Sequence, residues 1–104
     1  MFEQLSGLEE RYQELEQLLS DPAVVQNREL YPKYVREHAE LGKIVSVFRT
    51  YRQTLNELED SKDLLSDSDP EMKELARKEV DALSDQKEQL EQELKMLLIP
   101  KDPN

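Results

Sequence analysis

The sequence predicts an all-α fold of three main helices, the second and third forming a long antiparallel coiled-coil-like hairpin with the first packed alongside. Three observations carry this. Leu41, Ile44, Phe48, Tyr51, Leu55, Leu58 and Leu65 recur at alternating steps of three and four, broken only by Lys62. Ala76, Val80, Leu83, Leu90, Leu94 and Leu97 keep the same spacing, interrupted by Lys87. Between the two stripes, Ser66-Asp67-Ser68-Asp69-Pro70 is a stop followed by a restart. Residues at this period share one helix face. Two helices joined by a short turn hide such faces by folding back on each other. The product is a docking or spacer module with no pocket for chemistry.

The first helix is expected over about 2–19. Leu5, Leu8, Tyr12, Leu15 and Leu19 form its apolar stripe, and Glu9, Glu10, Glu14 and Glu16 occupy the other faces. Gly7 inside it costs about 1 kcal/mol relative to alanine. Ser20-Asp21-Pro22 ends it, because proline lacks an amide hydrogen and disfavours helix at the residue before it. Pro22 can then open a short turn through Ala23, Val24 and Val25 with Asp21 as its cap. The second helix is expected over about 28–65, with Asn27 as N-cap and a local distortion at Pro32. Gly42 is its weak point, a place for close approach by a neighbouring helix. The third is expected over 70–98. Asp69 as cap, Pro70 at the first position and Glu71 in the first turn each suit a helix N-terminus. Pairing outward from a turn near Asp67 predicts partners whose residue numbers sum to about 134–138. Leu55 and Leu58 then meet third-helix residues near Ala76, Val80 and Leu83, with Leu58 facing Ala76 or Val80 and Phe48 facing Leu90. Residues 1–99 read as one helical domain. Residues 100–104, with Pro100 and Pro103, read as the start of an extended linker, and the stop at Asn104 reads as a cut between domains.

Composition excludes several classes. The 104 residues carry 14 bases, 24 acids, no cysteine and no tryptophan, for a net charge of −10. Disulfides and thiolate metal sites are therefore ruled out, and the absence of cysteine fits a reducing cytoplasm. No apolar run approaches the roughly 18 residues of a membrane span, and the acidic start lacks a signal-peptide pattern. An acidic chain does not read as a DNA binder. The charge is uneven, however: residues 28–52 hold six bases and three acids.

Catalytic chemistry finds no constellation. His38, the single histidine, has no orienting partner in the sequence around it and reads as a partly buried packing residue. The Glu-x-x-His pairs of bundle di-metal sites are missing. Asp67, Asp69 and Glu71 superficially resemble a calcium loop, but the required glycine and the closing glutamate are absent. They read as turn and cap residues. No metal or cofactor is predicted. Two surfaces remain as partner contacts. One is the hairpin tip, Ser66, Asp67, Ser68 and Asp69. The other is the basic cluster around Arg36, Lys43 and Arg49, with Arg28, Lys33 and Arg52 nearby. That cluster reads either as a solvated face paired to acids on the neighbouring helix or as a contact for RNA or an acidic protein.

Three stretches carry a more specific likeness: Leu15-Glu16-Gln17-Leu18-Leu19-Ser20-Asp21-Pro22, the run from Tyr34 to Leu41, and the close from Leu90 through Leu97-Leu98-Ile99-Pro100-Lys101-Asp102-Pro103-Asn104. Together they resemble the N-terminal domain of the release factor 1 family, bacterial class I factors of translation termination. Ile99 stands where that family usually has leucine. The resemblance covers essentially the whole chain. It implies a cytoplasmic protein that reads the stop codons UAA and UAG on the ribosome and hydrolyses peptidyl-tRNA. The family reads codons with a Pro-x-Thr loop and hydrolyses with a Gly-Gly-Gln loop. This sequence has neither, so no catalytic residue transfers, and the chain itself is expected to be no enzyme. What the resemblance implies for it is a ribosome-docking role near the L11 stalk region and dealings with the class II release factor GTPase. The rival reading, a self-associating structural coiled coil, predicts a stable homodimer through the same stripes.

Overall fold

The same tripeptide, Ser-Asp-Pro, starts two of the four helices and acts the same way each time. Asp21 and Asp69 are extended (φ −82°, ψ 119° and φ −83°, ψ 118°), and each side chain accepts a hydrogen bond from the amide two residues on. Each following proline takes the first helical position, where no amide hydrogen is needed. The computed structural model describes residues 1–100. The elements are α1 (Phe2–Leu18), α2 (Pro22–Val25), α3 (Leu30–Asp63) and α4 (Pro70–Leu97), with a 3-10 turn at Leu64–Ser66. Among the described residues the fold is all-α, with α3 and α4 a packed long pair and α1 alongside α3. The expected extended linker at 101–104 lies outside the described residues.

Asn27 caps α3. Its side-chain oxygen accepts from the Glu29 and Leu30 amides at 3.0 Å each, and its carbonyl accepts from Tyr31. Pro32 cannot donate to the carbonyl of Arg28, so residues 28 and 29 form a turn and regular helix begins at Leu30. At the other end α geometry stops at Asp63, and the last turn tightens to 3-10.

The chain divides into two units, one of Met1–Ser46 and one beginning at Val47. In the first, Leu5, Leu15, Val24 and Val45 are buried. In the second, α3 and α4 run antiparallel. The Tyr51 hydroxyl donates to Glu91 at 2.9 Å, and the Ser61 hydroxyl donates to Glu79 at 3.0 Å. The residue numbers of these pairs sum to 142 and 140, so the register is offset from the predicted 134–138. Two effects push it that way. Helical side chains lean toward their own N-terminus. In an antiparallel pair they therefore meet residues further from the turn on the α4 side. The 3-10 turn also rises about 2.0 Å per residue against about 1.5 Å in an α-helix, which carries the turn outward. At this offset Phe48 falls opposite Leu94, not Leu90, and Leu94 is the fully buried one. Leu58 falls opposite Leu83, one of the three α4 residues expected near it, and the 3-10 turn packs on α4, where Ala76 is buried.

The buried face of α3 also departs from the predicted stripe. It runs through Val45, Phe48, Tyr51, Thr54, Leu58 and Ser61, while Ile44 and Leu55 are half-buried and Leu65 is exposed. Two hydroxyls enter the core because each is satisfied. Thr54 donates to the carbonyl of Thr50 at 2.9 Å, and Ser61 reaches Glu79.

Candidate docking surfaces

In the first unit, α1 and α3 meet through polar and aromatic groups that apolar spacing cannot show. Arg11 is the single base among residues 1–27, which hold six acids. Its Nε and Nη2 donate to the two carboxylate oxygens of Glu37 at 2.8 and 2.9 Å, and Nη1 donates to Glu14 at 2.6 Å. The guanidinium also stands 5.7 Å from the centre of the Tyr34 ring. A bidentate fork of this kind fixes orientation as well as distance. The hydrogen bond from Arg11 holds the Glu37 carboxyl below its ordinary pKa, and the same bond raises the guanidinium's.

One residue along on each helix, the Tyr12 ring stacks on His38 with centroids 4.3 Å apart and planes within 12°. Tyr12 also lies across Gly42, where an added Cβ would sit 3.4 Å from the ring. His38 is thus a half-buried packing residue. Its Nε2 is buried without a hydrogen-bond partner, 3.9 Å from a Glu16 carboxylate oxygen. Among the described residues no three acidic or imidazole side chains group to hold a metal ion. No helix of the described residues is long and apolar enough to cross a membrane.

Arg36 and Lys43 are exposed on α3, two helical turns apart, and Arg49 is exposed further along it. Neither Arg36 nor Lys43 makes an ion pair with the described residues. Of the acids near them, Glu14 on α1 and Glu37 on α3 itself are both held by Arg11.

In the second unit the tip acids are occupied locally. Asp67 accepts from the Asp69 amide at 2.8 Å, and Asp69 accepts from the Glu71 amide at 3.0 Å. Ser66 donates back to the carbonyl of Asp63 at 3.1 Å, and Ser68 is exposed. The structure therefore gives Asp67 and Asp69 the turn and cap roles that their spacing suggested. Beside the tip, α3 and α4 enclose a shallow, open groove of about 450 Å³. It is lined by Leu64, Leu83 and Ser61 together with Glu57, Asp60 and Glu79. The sequence reading missed this groove. Its one visible signal is Leu64 beside Leu65 at the stop motif; the stripe takes in Leu65 and leaves Leu64 out.

Nothing in these surfaces assembles a nucleophile, a base and an oxyanion donor, and the chain contains no Gly-Gly pair. Comparison with known proteins supplies the family. Over all 104 residues the chain is 51% identical to the peptide chain release factor 1 of Pelobacter propionicus and 50% identical to that of Geotalea uraniireducens. It is 53% identical over 104 residues to the peptide chain release factor 1 of Desulfatibacillum aliphaticivorans. In each case the match covers 100% of this chain and 29% of the relative's length. The PCRF domain matches residues 8–104, and with nearly the whole chain inside that match, this protein belongs to the PCRF domain family.

Proposed function

We propose that this chain is the N-terminal, non-catalytic docking domain of a release factor that directs translation termination at UAA and UAG. The observation that carries the reading is identity near 50%, over the whole of this chain and 29% of theirs, to proteins named peptide chain release factor 1. The helical module, without site chemistry and with exposed charged surfaces, fits a part that positions rather than reacts. Residues 1–99 act as one helical domain, and 100–104 lead toward domains that bear the Pro-x-Thr and Gly-Gly-Gln loops. The module works in the cytoplasm, against the ribosome near the L11 stalk region, and takes part in steps involving the class II release factor GTPase. Contact is made through the tip, Ser66 to Asp69. Arg36, Lys43 and Arg49 form a second candidate contact, favoured by the lack of ion pairs at Arg36 and Lys43.

The test is direct. The chain alone, added to ribosomes stalled with peptidyl-tRNA at UAA, is expected to release no peptide above background. The gene that encodes it is expected to continue into a Gly-Gly-Gln motif. Peptide release by the 104 residues, or a downstream sequence without that motif, rejects the reading. The self-association alternative predicts a dimer by sedimentation and no ribosome affinity.

A further inference from the structure

The end of the hairpin exposes leucine where a solvated tip needs none. Leu64 is 37% exposed, Leu65 40% and Leu75 52%. The 3-10 turn that holds Leu64 and Leu65 packs on α4, the helix that carries Leu75. Leu64 also lines the groove between α3 and α4, together with Ser61 and Leu83. Three carboxylates, Glu57, Asp60 and Glu79, line it as well, and among the described residues no lysine or arginine does. All three carboxylates are exposed; Glu79 accepts from the Ser61 hydroxyl at 3.0 Å and Glu57 accepts from Gln53 Nε2 at 3.1 Å.

We infer that this groove, lined by leucines and carboxylates, docks a basic amphipathic helical segment of a partner protein. The inference rests on the docking reading above and adds the chemistry of the partner. Charge complementarity selects this occupant. A second copy of the chain placed face to face would set each carboxylate trio against its twin, which repels. Nucleic acid and anionic lipid bring phosphates to the same carboxylates. A lysine or arginine, by contrast, lays its aliphatic stem along leucine and keeps its cationic head at a carboxylate. An apolar helix face fills the leucine surface, as in other helix-in-groove contacts.

The probe is a synthetic helical peptide with a leucine face flanked by lysines, titrated into the 104-residue chain and followed by amide chemical shifts. The control is a peptide of the same composition, scrambled to destroy the face. Saturable shifts confined to Leu64, Leu65, Leu75 and Leu83, with the scrambled peptide about tenfold weaker or more, support the inference. Glu57→Lys/Asp60→Lys should weaken binding by a similar factor. Glu88→Lys/Glu93→Lys, the same charge change at exposed α4 positions, should not. Equal binding of both peptides, shifts spread over the acidic surface, no binding, or a chain that dimerises through Leu75 each overturns it. Ribosome co-sedimentation run beside the titration separates the two readings. Sedimentation without peptide binding rejects the groove alone, and peptide binding without sedimentation rejects ribosome docking alone.

Discussion

Arg11 shows how one side chain can tie two helices that the apolar pattern only sets side by side. It spans from α1 to Glu37 on α3 through both carboxylate oxygens. Because the bond lowers the Glu37 pKa in the folded state, its contribution is present above the ordinary carboxylate pKa and lost as pH falls through the depressed value. Glu37→Gln should therefore melt below the wild type at pH 7, and the gap should close as the pH is lowered below 4. Thermal melts across that range check it. Tyr51 gives the opposite dependence. Burial first, and then the bond to Glu91, push its hydroxyl up to about 12. Its contribution is complete below about pH 10 and falls as the pH rises toward 12. Tyr51→Phe should cost about 1–2 kcal/mol at pH 7 by urea unfolding, because Glu91 loses its donor. The difference from wild type should shrink between pH 10 and 12. The two glycines separate packing from propensity. A methyl at Gly7 meets nothing within 4 Å, and one at Gly42 meets the Tyr12 ring at ordinary contact distance. Alanine at either position should raise stability by about 0.5–1 kcal/mol, whereas Gly42→Leu should push Tyr12 off His38 and destabilise.

At the scale of elements, both proline-led helices depend on one carboxylate each. Asp69→Ala removes the acceptor for the Glu71 amide and should cost about 1 kcal/mol. Asp69→Asn keeps an acceptor oxygen and should cost much less. Chemical denaturation of the two variants checks the pair. This cap was legible in the sequence because Asp-Pro-Glu satisfies three helix-start preferences at once. The helices and the hairpin were legible for a similar reason, since apolar period and turn chemistry agree. The register was not. It depends on the lean of side chains and the rise of a 3-10 turn, neither of which spacing encodes. The core positions of Thr54 and Ser61 were also invisible, because hydroxyls on a helix read as solvent-facing until a carbonyl or a carboxylate is found to accept from them. Leu65 misled in the opposite sense. It continued the stripe, but the helix had already tightened and left it exposed. Of the surfaces, the tip and the basic positions could be named from the sequence. The groove could not, since it needs the packed pair of helices to bring Leu64, outside the apolar stripe, and Leu83, inside it, to one surface.

At the scale of the whole molecule, two proposed contacts compete, and their electrostatics differ enough to separate them. The tip lies in an acidic region, so a contact there involves no release of phosphate counterions. Arg36 and Lys43 offer two cations about 10 Å apart along α3, seven residues at about 1.5 Å each. Glu40 follows Arg36 by four positions, and the chain as a whole is at −10. Two cations in that setting are a thin footprint for RNA, which is usually met by a dense basic surface. We therefore expect docking by the tip. Arg36→Glu/Lys43→Glu should leave ribosome affinity of the proposed full-length factor near that of wild type, and the slope of log affinity against log salt should be unchanged. If both residues touch phosphates, the same variant should flatten that slope by about two, close to one for each lost contact. Its low-salt affinity should fall with it. Stability stays out of the comparison, because neither residue has an ion pair to lose among the described residues. A flattened slope would move the docking surface from the tip to α3. An unchanged slope, together with an affinity loss from substitutions at Ser66 and Ser68, would place it at the tip.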